Sequence, residues 1–265
     1  MGLFNLSRRV LGKTLDNTAS KYALQPERVD IGLPLNAQIG ALLELQRAEF
    51  ALLNSTLLTV PSSSQMPIVA VSRLRLEGDE DLQIYRLYTD TGTERSGIGA
   101  SFLQILCGQG GVDTILDLAY YQFLCRQYPT TEAEQAPYRG EGFGLGESDY
   151  YMADDQLATI PQAANQIPAL LGETDALHFI RDTPGGNYVR PFTARESRLD
   201  DPIGEKGVSK QLSFMPYLRP LPDGHQERLL ISFDYVETMD GHAAPAAYVD
   251  FIAGVAFDRH KVKVL

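Results

Sequence analysis

The sequence predicts a mainly β to α+β fold: an antiparallel, hairpin-rich sheet, sandwich or open barrel with a few short helices. Two observations lead there. The first is a recurring hairpin signature. Residues 74–104 read strand, acidic turn, strand, long loop, strand. Residues 178–192 read as a short hairpin across Pro184, Gly185, Gly186 and Asn187, and residues 214–235 as another across Pro222, Asp223 and Gly224. The second is composition. Thirteen Tyr and eleven Phe with no Trp suit a strand-rich interior.

Taken in order, residues 1–30 form a basic, partly apolar tail that Gly32 and Pro34 close off. Residues 31–160 form a β-rich first half, 161–175 a candidate linker, and 176–265 a β-rich second half packed with the first as one globular unit. Residues 39–58 read either as one amphipathic helix or as two short strands, since Ile39, Ala41, Leu43 and Leu45 share a face at period two. Residues 68–77 and 82–89 read as strands joined by Gly78-Asp79-Glu80-Asp81, and 101–107 as a third. Residues 115–124 fit a helix or a buried strand. Thr130 or Thr131, followed by Glu132 and Glu134, caps a short helix that Pro137 limits. Residues 138–155 are irregular, with Gly140, Gly142, Gly144 and Gly146 alternating. Further on, Leu229, Ile231, Phe233 and Tyr235 alternate against Arg228, Ser232 and Asp234, with Leu230 an apolar intruder. Val249, Phe251, Ala253, Val255 and Phe257 repeat the pattern.

Charge narrows the function classes. The net charge of −11 and the lack of a basic stripe argue against nucleic-acid binding. The tail runs the other way: Arg8, Arg9, Lys13 and Lys21 stand against Asp16 in residues 1–21. It reads as an amphipathic segment packed on the body or frayed, or else as a peripheral contact with an anionic inner-membrane surface. No apolar run reaches membrane-spanning length, and the start does not read as a secretory signal. Cys107 and Cys125 sit in apolar runs and read as buried thiols in a reducing cytoplasm.

No catalytic constellation stands out. There is no nucleophile elbow, and the Gly108–Gly111 turn lacks the Lys-Ser/Thr of a phosphate loop. Asp223, His225, Asp240 and His242 occupy two Asp-Gly-His tripeptides. These read as hairpin turns, with convergence on a metal as the alternative. Tyr85, Arg86 and Tyr88, Tyr188 and Arg190, and Tyr217 and Arg219 form a recurring Tyr-with-Arg pattern. It fits a protein-binding surface or, more blandly, Arg stems packed over aromatic rings across strands.

A family resemblance rests on Leu33-Pro34-Leu35, Ile39-Gly40, the Ile84-Tyr85-Arg86-Leu87-Tyr88 strand, Phe102-Leu103-Gln104, Tyr217-Leu218-Arg219 and the Glu227-Arg228-Leu229-Leu230-Ile231-Ser232 strand. From Leu33 onward the chain resembles the YjfK-like family of uncharacterised bacterial proteins. That resemblance implies a cytoplasmic bacterial protein with no assigned activity and no known catalytic residues to carry over, and the sequence itself points to no cofactor. It also implies genetic association with a membrane-stress protein similar to phage-shock protein A, a small membrane protein and an ATP-grasp ligase. The expectation is a non-catalytic accessory protein with a protein partner. The alternative is an enzyme or a small-molecule or metal binder whose site lies at one end of the sheet.

Overall fold

The strands close into a ring. The computed structural model describes residues 27–92, 99–141, 144–238 and 246–265. A first meander runs through β3 (Ala70–Leu76), β4 (Gln83–Asp90), β5 (Ser101–Cys107) and β6 (Ile115–Gln127). A second runs through β9 (Phe192–Leu199), β10 (Gly207–Pro220), β11 (Gln226–Thr238) and β12 (Ala246–Ala256). First strand pairs with first, as in Arg73 opposite Ser197, and last pairs with last, as in Ile252 opposite Phe123. All eight pairings are antiparallel, so two sequential meanders make one closed barrel.

Shorter elements surround the ring. A small sheet joins β1 (Leu42–Leu45) with β2 (Gln65–Pro67) and β13 (Val262–Val264). The short helices are α1 (Arg47–Ala51), α2 (Glu132–Gln135), α3 (Asp154–Ala158) and α4 (Ile167–Leu171). Residues 39–58 thus hold both a strand and a helix, and 115–124 belong to a strand. The stretch at 161–175 carries α4, with Ala163 and Leu170 buried against the barrel's outer core.

One expected hairpin is corrected. Residues 178–192 contain β8 (Ala176–Arg181) and the start of β9, and these two strands do not pair. Both lie antiparallel to the same side of the long β10: Arg181 is opposite Tyr217, and Phe192 is opposite Phe214. They therefore run in the same direction, one after the other. The Pro184-Gly185-Gly186 segment is an excursion between them, not a reversal. On its other side β8 pairs with β7 (Asp149–Ala153), which ends the sheet.

The direction of each strand's polar face explains the packing. On β11 the apolar Leu229, Ile231 and Phe233 point out of the ring, while Arg228, Leu230, Ser232 and Asp234 point into it. Leu230 is the alternation's intruder because it faces a lumen cluster with Leu74, Ile84, Phe102, Tyr121, Leu212, Phe214 and Ile252. Gly254 allows this packing: a Cβ there would lie 2.4 Å from the Tyr121 ring.

One end of the lumen is ionic. Arg86 pairs with Glu196 at 3.2 Å, Arg126 with Asp250 at 2.6 Å, Arg198 with Asp200 at 2.7 Å, and Lys210 with Asp234 at 3.0 Å. Ser72 and Tyr88 also donate to Glu196, at 2.5 and 2.7 Å. Aromatic faces receive the cation planes: Arg86 lies 4.8 Å from the Phe102 ring centre and Arg126 3.4 Å from that of Tyr248. Burial alone would raise the Glu196 pKa. Arg86, Lys210 and the two hydroxyl donors outweigh it and hold the carboxyl down at about 2. Asp250 shifts the other way, raised by burial and by neighbouring Asp234 against the pull of Arg126.

Because the polar faces turn inward, the outward faces are apolar and need cover. Leu87, Leu103, Ile105, Tyr120, Met215, Tyr217, Ile231, Phe251 and Val255 form a second core with Leu43, Leu45, Phe50, Leu57, Met152, Leu157 and Phe179 from the surrounding elements. The two cysteines lie in this layer, buried and free. Across β9 the cover stops, and Arg195 and Ser197 face solvent.

Removing one partner of a buried pair leaves an uncompensated charge, which typically costs about 3–5 kcal/mol. Glu196→Gln is therefore expected to lower stability by roughly that amount at neutral pH. The folded-state pKa of Glu196 lies below its ordinary value of 4.5. Its contribution is therefore complete above that value and is lost as pH falls toward about 2. Urea midpoints of wild type and variant should differ by a constant amount from pH 6 to 8 and converge in acid. A gap that widens in acid would contradict this.

Candidate functional site

Outside the barrel, the segment between β6 and β8 folds into a cleft of about 720 Å³. One wall is the end of β6 with Tyr128, followed by Pro129 and Thr130. The second is α2 and the turn after it, with Glu134 and Tyr138. The third is Gly144 to Glu147 leading into Asp149, Tyr150 and Tyr151, and Ile231 of β11 also lines the cavity.

Local chemistry sets each wall. Thr131 caps α2 in a reciprocal box: its side chain accepts from the Glu134 N–H, and the Glu134 carboxylate accepts from Thr130 and Thr131 N–H at 2.7 and 3.2 Å. Those bonds hold the Glu134 carboxyl below its ordinary pKa. Tyr138 stacks on Phe233 with ring centres 6.4 Å apart, and its hydroxyl donates to Gln127. Gly146 is held from both sides: its N–H donates to the Tyr217 hydroxyl at 3.1 Å and its carbonyl accepts from Arg181 at 2.5 Å. Its φ is 111°, and a Cβ at this position would lie 2.0 Å from the Val189 carbonyl oxygen, so glycine is obligatory there.

Tyr150 and Tyr151 are adjacent on β7. Tyr150 points inward against Tyr217 and Phe251, its hydroxyl bonded to Gln156 at 2.7 Å. Tyr151 points outward, is 61% exposed and stacks on His178 at 4.7 Å. Tyr128 is 54% exposed. Asp149 accepts from the Ser148 hydroxyl at 2.5 Å and lies 2.6 Å from His178 Nε2. The serine hydroxyl, then the histidine, hold its carboxyl below the ordinary value. Burial raises the Tyr138 and Tyr150 phenols. At neutral pH the cleft therefore presents the neutral Tyr138 and Tyr150 rings beside the ionised Glu134 and Asp149, with no Lys or Arg among the described residues of its lining. This arrangement suits a cationic group. The Ser148 hydroxyl donates to one oxygen of Asp149, and His178 Nε2 lies against the other.

The residues singled out in the sequence separate. Tyr85, Arg86, Tyr88, Tyr217 and Arg219 are buried. Arg86 and Tyr88 face the lumen, whereas Tyr85 and Tyr217 lie in the outer core. Arg219 is bonded to Glu227 and to the Ser55 carbonyl and lies over Phe179. Tyr188 and Arg190 alone among the seven are exposed, so the fold does not gather the set on one surface. Asp223 accepts from the His225 N–H within its turn and from the Asn54 N–H of the loop after α1. Asp240 and His242 lie outside the described residues, as does the tail at 1–21. Among the described residues no group of three or more potential metal-ligating side chains converges. The cleft residues escaped sequence reasoning, although one signal was present: the alternating glycines of 140–146, which read as part of an irregular stretch.

The fold and the cleft define a closed eight-stranded antiparallel barrel whose candidate site lies in its outer layer. Residues 8–256 match the family described as Protein of unknown function (DUF2491), and the chain belongs to that family. No curated protein and no solved structure matches it. Among the described residues no helix is long and apolar enough to cross a membrane.

Tyr217→Phe would leave the buried Gly146 N–H without its acceptor, a loss that typically costs about 1–3 kcal/mol. The expected result is a lower urea midpoint together with faster hydrogen exchange at the Gly146 amide. Unchanged exchange there would show that the hydroxyl does not hold this wall.

Proposed function

We propose that this protein is a non-catalytic accessory protein that binds a partner protein through the tyrosine-lined cleft beside β7. The observation that carries the reading is the cleft itself, where half-exposed Tyr128 and Tyr151 stand beside Glu134, Glu147 and Asp149. Exposed tyrosines on a rigid wall supply contact area at low entropic cost, which is why they recur as binding hot spots. The ionic lumen supports the same reading, because its charges pair with one another and serve closure of the barrel.

The finer expectations belong to this proposal. They are the YjfK-like relationship, a bacterial cytoplasmic setting, a membrane-stress or ATP-grasp-ligase-associated system, and peripheral membrane contact through residues 1–21. A second reading, a small-molecule binder or enzyme, draws on the cleft's volume, which falls in the range of ligand pockets, and on the Asp149–His178 pair at its rim.

The test is a tagged pull-down from native cells, run on soluble and membrane fractions, with wild type and Tyr151→Ala side by side. A stoichiometric partner that co-purifies with wild type and is lost with Tyr151→Ala is the expected outcome. Turnover of a substrate by the isolated protein would overturn the reading.

A further inference from the structure

Among the described residues β7 is the terminal strand of the ten-stranded sheet, and only one of its sides is paired. Its backbone directions follow from the register. Asp149 is opposite Ile180, and the Arg181 N–H donates to the Ser148 carbonyl. In an antiparallel ladder this makes 150 and 152 the residues whose N–H and C=O groups point at β8. The N–H and C=O groups of Asp149 and Tyr151 then point to the open side.

The cleft lies on that side. Tyr150 and Tyr151 project to opposite faces of the strand, yet both line the cavity. A cavity that touches both must lie at the strand's edge, and β8 occupies the other edge. The sequence Asp149-Tyr150-Tyr151-Met152-Ala153 also lacks the lysine or proline that commonly blocks an edge strand.

We infer that an extended, lysine- or arginine-bearing segment of a partner protein adds to β7 as a further strand, with its cationic side chains in the cleft among Tyr128, Tyr138, Glu147 and Asp149. The inference rests on the partner-binding reading above and names its geometry and chemistry. Strand addition supplies main-chain hydrogen bonds, and the cleft supplies side-chain selectivity. The five residues of β7 limit the added segment to a similar length. Charge complementarity selects the occupant, because the described residues of the lining include carboxylates and no Lys or Arg.

Fluorescence anisotropy on the full chain tests this with three labelled hexapeptides. One alternates lysine with valine, one alternates glutamate with valine, and the third is the lysine peptide N-methylated at alternate amides. The lysine peptide is expected to bind, with the N-methylated and glutamate peptides at least about tenfold weaker, the equivalent of about one lost hydrogen bond. Tyr151→Pro removes an edge-facing N–H and leaves the β7–β8 ladder intact. It should weaken binding by a similar factor, whereas Tyr151→Thr, which keeps the N–H, should weaken it less. If Tyr151→Pro fails to fold, the N-methylated peptide on wild-type protein decides the point.

Equal binding of the N-methylated and parent peptides would overturn strand addition, and equal binding of the glutamate peptide would overturn the cationic specificity. So would a wild-type dimer in light scattering that Tyr151→Pro converts to monomer, since the edge would then belong to a second copy. A partner still lost with Tyr151→Ala in the pull-down, combined with no peptide binding, would sink this inference alone. Absence of both would sink the partner-binding reading with it.

Discussion

Everything else in this architecture depends on where the strands' charged faces go. An eight-stranded barrel has an interior just wide enough for side chains. Here one end of that interior takes Arg86, Arg126, Arg198 and Lys210 together with Glu196, Asp200, Asp234 and Asp250. Buried charges are tolerable only when paired and hydrogen-bonded. Two of the pairs join strands far apart in sequence: Arg86 on β4 meets Glu196 on β9, and Arg126 on β6 meets Asp250 on β12. The network therefore spans both seams where the two meanders meet.

Turning the polar faces inward has a second consequence. The apolar faces of β4, β5, β6, β11 and β12 point outward and would be costly to leave in water. They are covered by β1, the helices and the β7–β8 pair. The cleft arises in this covering layer, where short elements joined by glycine-rich turns meet imperfectly. Gly146 locks one of its walls because it accepts and donates hydrogen bonds to side chains from β8 and β10. The rigid barrel and the irregular outer layer thus divide the work: the first fixes geometry, and the second carries the recessed surface.

Much of the strand pattern was legible in the sequence. Period-two alternation located β3, β11 and β12, the acidic turn and following loop bounded β4 and β5, and the Asp223-Gly224 turn located the β10–β11 hairpin. A helix cap at Thr130 or Thr131 was also readable, because it depends on neighbouring residues, and the structure selects Thr131. Which face was buried was not readable. Arg228, Ser232 and Asp234 look like a solvent face, and only closure with β6, more than a hundred residues away, turns them inward. The Pro184-Gly185-Gly186 loop resembles a hairpin turn because turn chemistry does not encode whether the next strand reverses. The cleft was illegible for a related reason. Its walls come from segments without period, and their meeting is a tertiary event. The recurring Tyr-with-Arg pairs were visible but belong mostly to packing, with Arg86 over Phe102 and Arg219 over Phe179.

Inward burial of the polar faces is tested most sharply by thiol labelling of two introduced cysteines, one on the outer and one on the inner side of the ring. Ser232→Cys places a thiol at a lumen position and Arg195→Cys at a solvent position, with buried Cys107 and Cys125 as an internal background. A closed barrel predicts that Arg195→Cys reacts at once under native conditions, while Ser232→Cys reacts only as the protein unfolds. Rapid native labelling at position 232 would show that the polar face of β11 meets water and that the barrel is not closed around it.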